Sequence, residues 1–216
     1  ALWCFWYGEY HELAAFGESI LTVMIIAAFL MAFGWKAPKR LYQRESIALV
    51  GLGWLVVAFY GALPFMYSGL LSFADAYFES MSGFTTTGSS VIPVLEPVAK
   101  SLLFWRAFTH WLGGLGIVML IVLVLPFIGT SGKLLCKTEA TGVDKDGLRP
   151  RIKETATILY KIYIGLTIIQ TSLLMAAGMS FFDALCHTFA CLATGGFGNY
   201  TDSIAHFKST PIEVII

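Results

Sequence analysis

Four apolar runs dominate the chain, at 13–34, 46–66, 102–128 and 155–178. Each is long enough to cross a hydrocarbon core as a helix, which takes about 20 residues. A fifth run opens near Pro211 and continues to Ile216. The stretch 67–101 holds a shorter apolar run, 73–84, followed at once by Thr85-Thr86-Thr87-Gly88-Ser89-Ser90. Twelve residues cannot span a bilayer as a helix, so this pattern predicts a re-entrant segment that enters and turns back at the Thr/Gly loop.

The feature recurs 108 positions later. Ser72-Phe73-Ala74-Asp75-Ala76 is matched by Ser180-Phe181-Phe182-Asp183-Ala184, Thr86 by Thr194, and Gly88 by Gly196. The repeating unit is therefore span, short helix, Thr/Gly loop, span. Each short helix begins with Ser-x-x-Asp, a capping-box variant: Ser72 and Ser180 satisfy orphan N–H groups, while Asp75 and Asp183 lie at the positive end of the helix dipole. The opposite, partly negative end faces the Thr/Gly loop and favours a cation there. In such a loop, backbone carbonyls are free to replace an ion's hydration shell, and glycine permits the conformations this requires. A Thr/Gly cluster on its own marks an ordinary loop. Two copies at matched positions, each after a capped apolar helix, point instead to a paired ion site.

Composition agrees with a membrane protein: 57% of residues are hydrophobic and only 13% charged, with a mean hydropathy of +0.74. Formal net charge is zero, which gives no field for nucleic acid. Ten of the fourteen Lys and Arg residues cluster, as Lys36, Lys39, Arg40 and Arg44, then Lys133, Lys137, Lys145, Arg149, Arg151 and Lys153. Both segments are expected on the cytoplasmic side, and 67–101 on the outer side. Cys4, Cys136, Cys186 and Cys191 have no CxxC spacing and predict no disulfide framework. Lys161 and Arg106 are expected to snorkel from span ends, and Phe104, Trp105, Phe108 and Trp111 to form an outer aromatic belt. The Gly113-Gly114-Leu115-Gly116 cluster lies within a span, which predicts close helix packing and not a dinucleotide site. Gly132-Lys133 lacks the upstream glycine of a P-loop. No room remains for a catalytic head, so an enzyme is not expected.

The strings Met81-Ser82-Gly83-Phe84-Thr85-Thr86-Thr87-Gly88-Ser89, His110-Trp111-Leu112-Gly113-Gly114-Leu115-Gly116-Ile117-Val118 and Ala193-Thr194-Gly195-Gly196-Phe197 together resemble the Trk/Ktr/HKT superfamily of potassium transporters, in particular its bacterial TrkH-type membrane subunits. The basic stretch Leu148-Arg149-Pro150-Arg151-Ile152-Lys153-Glu154-Thr155-Ala156 is similar to the segment that precedes the family's second repeat. The resemblance implies an all-α membrane protein of tandem span–pore helix–filter loop–span repeats, four of which surround one pore. Two are present here, so the chain is expected to be an N-terminal portion of a longer protein. On this reading 1–40 is an extra N-terminal span and linker, 41–132 the first pore repeat, 133–153 a cytoplasmic linker and 154–216 the second repeat, cut within its last span. The resemblance assigns Thr86, Thr87, Gly88, Thr194, Gly195 and Gly196 to a K+ filter. In the superfamily's plant branch, serine at the first-loop glycine goes with sodium selectivity; Gly88 therefore implies potassium. It further implies K+ as transported ion with no cofactor, a bacterial cytoplasmic membrane, a homodimer, and a cytosolic nucleotide-binding regulatory subunit.

Two rivals remain. His110 and His187 lie in apolar segments and could be axial ligands of a haem-binding redox subunit, although a lone histidine at position 187 is more often a hydrogen-bonded packing residue. The alternative is a non-conducting assembly subunit whose Thr/Gly loops are simple outer loops.

Overall fold

The computed structural model describes the backbone of residues 2–35, 43–128 and 148–216, and the side-chain environments of 2–35, 48–117 and 154–216. The basic segments 36–44 and 133–153 and Cys136 lie wholly or, for their side chains, outside the described residues. The regular elements among the described residues are all helical: α1 (Leu2–Tyr7), α2 (Tyr10–Gly34), α3 (Gln43–Tyr67), α4 (Phe73–Phe84), α5 (Lys100–Ile128), α6 (Leu148–Ala176), α7 (Phe181–Leu192), a 3-10 turn (Ser203–Phe207) and α8 (Thr210–Ile215). Three of these are long and apolar enough to cross a membrane: Tyr10–Gly34, Ala48–Tyr67 and Glu154–Ala176. Helix α5 has 29 residues and is longer than any of those segments. On α2, Leu21, Met24, Ile25, Phe29, Met31 and Phe33 are all exposed, as befits a helix whose neighbour is lipid.

Helices α4 and α7 have twelve residues each, about 18 Å of helix, against a hydrocarbon core about 30 Å thick. Helix α4 packs between α3 and α5, and α7 between α5 and α6, so α5 serves both repeats. The predicted short segment and α4 share the bounds 73–84, and α7 repeats them 108 positions on, at 181–192. Apolar side chains gain little from leaving lipid for one another, so close fit and small residues must hold such helices together. Glycines make that fit. A Cβ at Gly61 would overlap the Phe84 ring and Ser80 Oγ, one at Gly114 the Tyr163 hydroxyl, and one at Gly113 the Phe84 carbonyl oxygen.

The four aromatic residues expected as an outer belt, Phe104, Trp105, Phe108 and Trp111, are each half-buried against neighbouring helices. Phe104, Phe108 and Trp111 stack at successive turns of α5, each pair 5.7 Å between centroids, and Phe189 of α7 packs on all three. Trp105 Nε1 donates to the Gly61 carbonyl at 2.9 Å, and Trp111 Nε1 to Thr167 Oγ1 at 3.1 Å. An indole N–H buried among helices must find a partner, and each finds one on the neighbouring span. Lys161 is exposed. Helix α1 closes one end: Trp3 packs on Phe104 and Phe182, and the Glu9 carboxylate accepts from the free N–H groups of Lys100 and Ser101 at the start of α5.

Candidate functional site: paired loops at the ends of the short helices

Each short helix starts from the same cap. Ser72 Oγ accepts from the Asp75 N–H at 3.4 Å and donates to the Asp75 carboxylate at 2.7 Å; Ser180 does the same with Asp183, at 3.1 and 2.7 Å. The two aspartates then diverge. Asp75 is exposed, whereas Asp183 is buried and also accepts from Asn199 Nδ2 and the Tyr200 hydroxyl.

The helices also end identically. Thr86 N–H bonds the Gly83 carbonyl and Thr87 N–H the Ser82 carbonyl; in the second copy Thr194 bonds Cys191 and Gly195 bonds Ala190. This is the Schellman pattern, which turns the chain by placing one residue in the left-handed region, usually glycine. Here that residue is threonine in both copies, with φ of 56° at Thr86 and 58° at Thr194. A β-branched residue in that region is a genuine outlier, and its recurrence in both repeats marks a position chosen for something other than stability. Gly88 and Gly196 follow with φ of 77° and 84°. Thr87 and Gly195, between them, are not in the positive-φ region. Such alternation differs from a β-strand, whose regular backbone sends successive carbonyls to opposite sides.

The two loops touch. A Cβ on Gly88 would overlap the carbonyl oxygen of Gly195, while Gly196 has open space around it. Gly195 in turn lies against the His110 ring, which stacks on Phe197 at 3.9 Å between centroids. Thr86, Thr87, Gly88, Thr194, Gly195 and Gly196 thus gather where the two repeats meet, and all six are partly or fully exposed.

Behind the loops lies a buried charge cluster that the apolar reading of α5 missed. Arg106 is only 4% exposed and does not snorkel. Its Nε donates to Glu79 of α4, its Nη1 to the Gly198 carbonyl at 2.9 Å, and its guanidinium lies 3.6 Å from the Phe197 ring centroid. Glu79 also accepts from Ser90 Oγ and the Val91 N–H, both at 2.9 Å, tying down the segment that leaves the first loop. The sequence holds both charges, a carboxylate inside a short apolar helix and a cation inside a span, but the packing of α4 on α5 is what pairs them. His187, at the repeat position of Glu79, is buried and meets Phe207 edge-on, but its Nε2 has no hydrogen-bond partner. It packs as expected, without the expected bond at that nitrogen. Among the described residues no cluster of three or more His, Cys, Asp or Glu could hold a metal ion.

Comparison with known proteins agrees with this architecture. The family described as TrkH, cation transport protein, matches residues 15–216. The Trk system potassium uptake protein TrkH of Halomonas elongata is 45% identical over 182 residues, covering 83% of this chain and 38% of that protein. Its Escherichia coli K12 counterpart is 40% identical over 205 residues, 94% of this chain and 42% of that protein. The crystal structure of the potassium transporter TrkH from Vibrio parahaemolyticus superposes with a TM-score of 0.75 at 37% identity, over 92% of this chain and 41% of that one. The chain spans about two fifths of the length of these relatives. With its membrane-length helices and its match over nearly the whole sequence, the chain is a multi-pass membrane protein belonging to the TrkH family of cation transport proteins.

Proposed function

We propose that the full-length protein takes up K+ across the bacterial cytoplasmic membrane, and that Thr86, Thr87, Gly88, Thr194, Gly195 and Gly196 contribute two quarters of its selectivity filter. One observation carries this reading: two loops 108 residues apart share the same turn hydrogen bonds and the same positive φ at Thr86 and Gly88, Thr194 and Gly196. A backbone so constrained is fixed before an ion arrives, which is what carbonyl replacement of a hydration shell requires. The relatives named as potassium uptake proteins support the choice of ion.

The chain then divides as 1–40, an additional span and linker; 41–132, the first pore repeat; 133–153, a cytoplasmic linker; and 154–216, the start of the second. The basic segments lie on the cytoplasmic side, where a nucleotide-binding regulatory subunit meets them, and the full-length protein forms a homodimer. Impermeant thiol labelling of single-cysteine variants tests the sidedness: Ser68→Cys reacts in intact cells and Thr141→Cys does not. The function is tested by growth of K+-uptake-deficient cells carrying the full-length protein. Wild type restores growth at low K+, and Gly88→Ser combined with Gly196→Ser weakens K+ uptake and discrimination against Na+. Wild-type uptake and selectivity in that double variant, at equal membrane abundance, would refute the filter assignment.

A further inference from the structure

We propose that Arg106 is a positioning residue for ion selectivity, acting as a strut that sets the spacing of the first and second filter loops. The inference rests on the filter reading above and goes beyond it, because Arg106 belongs to neither loop. Its guanidinium reaches both repeats at once. On one side is Glu79, whose carboxylate also fastens Ser90 and Val91 just after the first loop. On the other are the Gly198 carbonyl and the Phe197 ring just after the second. Phe197 carries the constraint back to the loop, since it stacks on His110 and His110 backs Gly195, whose carbonyl abuts Gly88. From Glu79 round to Gly88, every link is a hydrogen bond or a van der Waals contact.

A buried ion pair is weak evidence for stability, because an apolar pair of similar volume often serves as well. The protein itself makes that point. Position 187, the repeat equivalent of 79, holds His, yet α7 forms with the same length, cap and turn as α4. The Glu79–Arg106 pair is thus not needed to build a short helix and its loop. It does what an apolar pair cannot, because a planar guanidinium has N–H groups directed to two partners and a flat face for a third. Lysine supplies the charge but not this geometry.

The test is the K+ to Na+ flux ratio of purified full-length protein in vesicles, with thermal stability measured in parallel. Arg106→Lys still neutralises Glu79 and should accumulate and unfold close to wild type, while its flux ratio falls roughly tenfold. Phe197→Leu, which leaves the ion pair intact but removes the face the guanidinium rests on, should move the ratio in the same direction. A wild-type ratio in Arg106→Lys overturns the strut, as does a wild-type ratio in Phe197→Leu if Arg106→Lys fails to accumulate. A wild-type protein that passes both ions equally would instead strike down the filter reading, and the strut with it.

Discussion

The carbonyl oxygen of Gly195 occupies the space that a Cβ on Gly88 would need. The two glycines that end the paired turns are therefore not equivalent. Gly88 is constrained by its φ of 77° and by a backbone atom that cannot swing aside; Gly196 is constrained by its φ of 84° alone. Gly88→Ser should consequently depress K+ uptake and discrimination against Na+ more than Gly196→Ser does. Uptake assays of the two single variants at matched membrane levels check the order, and equal effects would deny the contact between the loops.

The threonines at the turns lead to a prediction of opposite sign for stability and function. Holding a residue with a Cβ in the left-handed region costs roughly 1–2 kcal/mol. Glycine relieves that strain but returns roughly 0.4–1 kcal/mol of freedom to the unfolded chain. Thr86→Gly should therefore stabilise the protein by about 0.5–1 kcal/mol, read as a higher thermal midpoint, while lowering ion discrimination through the lost hydroxyl and a looser turn. A stabilised variant with unchanged selectivity would show that the threonine has no role at the ion.

The two capping aspartates should differ in weight. Asp75→Ala removes an exposed first-turn carboxylate that holds the Ser72 hydroxyl and favours the helix dipole, a loss of roughly 0.3–1 kcal/mol, while Ser72 still caps the N–H of residue 75. Asp183→Ala leaves Asn199 and Tyr200 without their buried acceptor as well, adding roughly 1–3 kcal/mol. Thermal unfolding of the purified variants should rank Asp183→Ala below Asp75→Ala. Neither aspartate belongs to the loops, so Asp75→Ala at normal abundance should retain the wild-type K+ to Na+ preference.

Between the repeats, Glu96 accepts from both the hydroxyl and the N–H of Thr201, at 2.7 and 3.0 Å. These bonds, with help from nearby backbone N–H groups, pull the Glu96 carboxyl down to about 2. A pKa lowered on folding gives stability that is present above the ordinary carboxylate range and lost as the pH falls toward 2. Because the group is exposed, the effect is small and screened by salt. In Thr201→Ala the Glu96 pKa should return toward the ordinary range, which a carboxyl-specific NMR titration would register directly.

Much of the fold is legible in the sequence because the bilayer simplifies the problem. Run length alone separates 73–84 and 181–192 from the crossing helices, and the 108-residue repeat makes each copy a check on the other. Ser72 and Ser180 announce their helices because a cap is a local interaction between residues three apart. Nothing local announces that Arg106 is buried, since an arginine near the end of a span snorkels unless a carboxylate lies within reach. Only the packing of α4 on α5 brings Glu79, 27 residues away, to that position. The same holds for the aromatic residues of α5: nothing local shows that Phe189 of α7 packs on Phe104, Phe108 and Trp111 and half-buries them. The sequence by itself determined the crossing helices, the duplicated turns and the glycines that permit them, all of which depend on hydrophobic length and on backbone conformation within a few residues. The tertiary structure alone decided that Gly88 meets Gly195 and that Arg106 bridges the two repeats, because such contacts depend on how rigid helices cross in space.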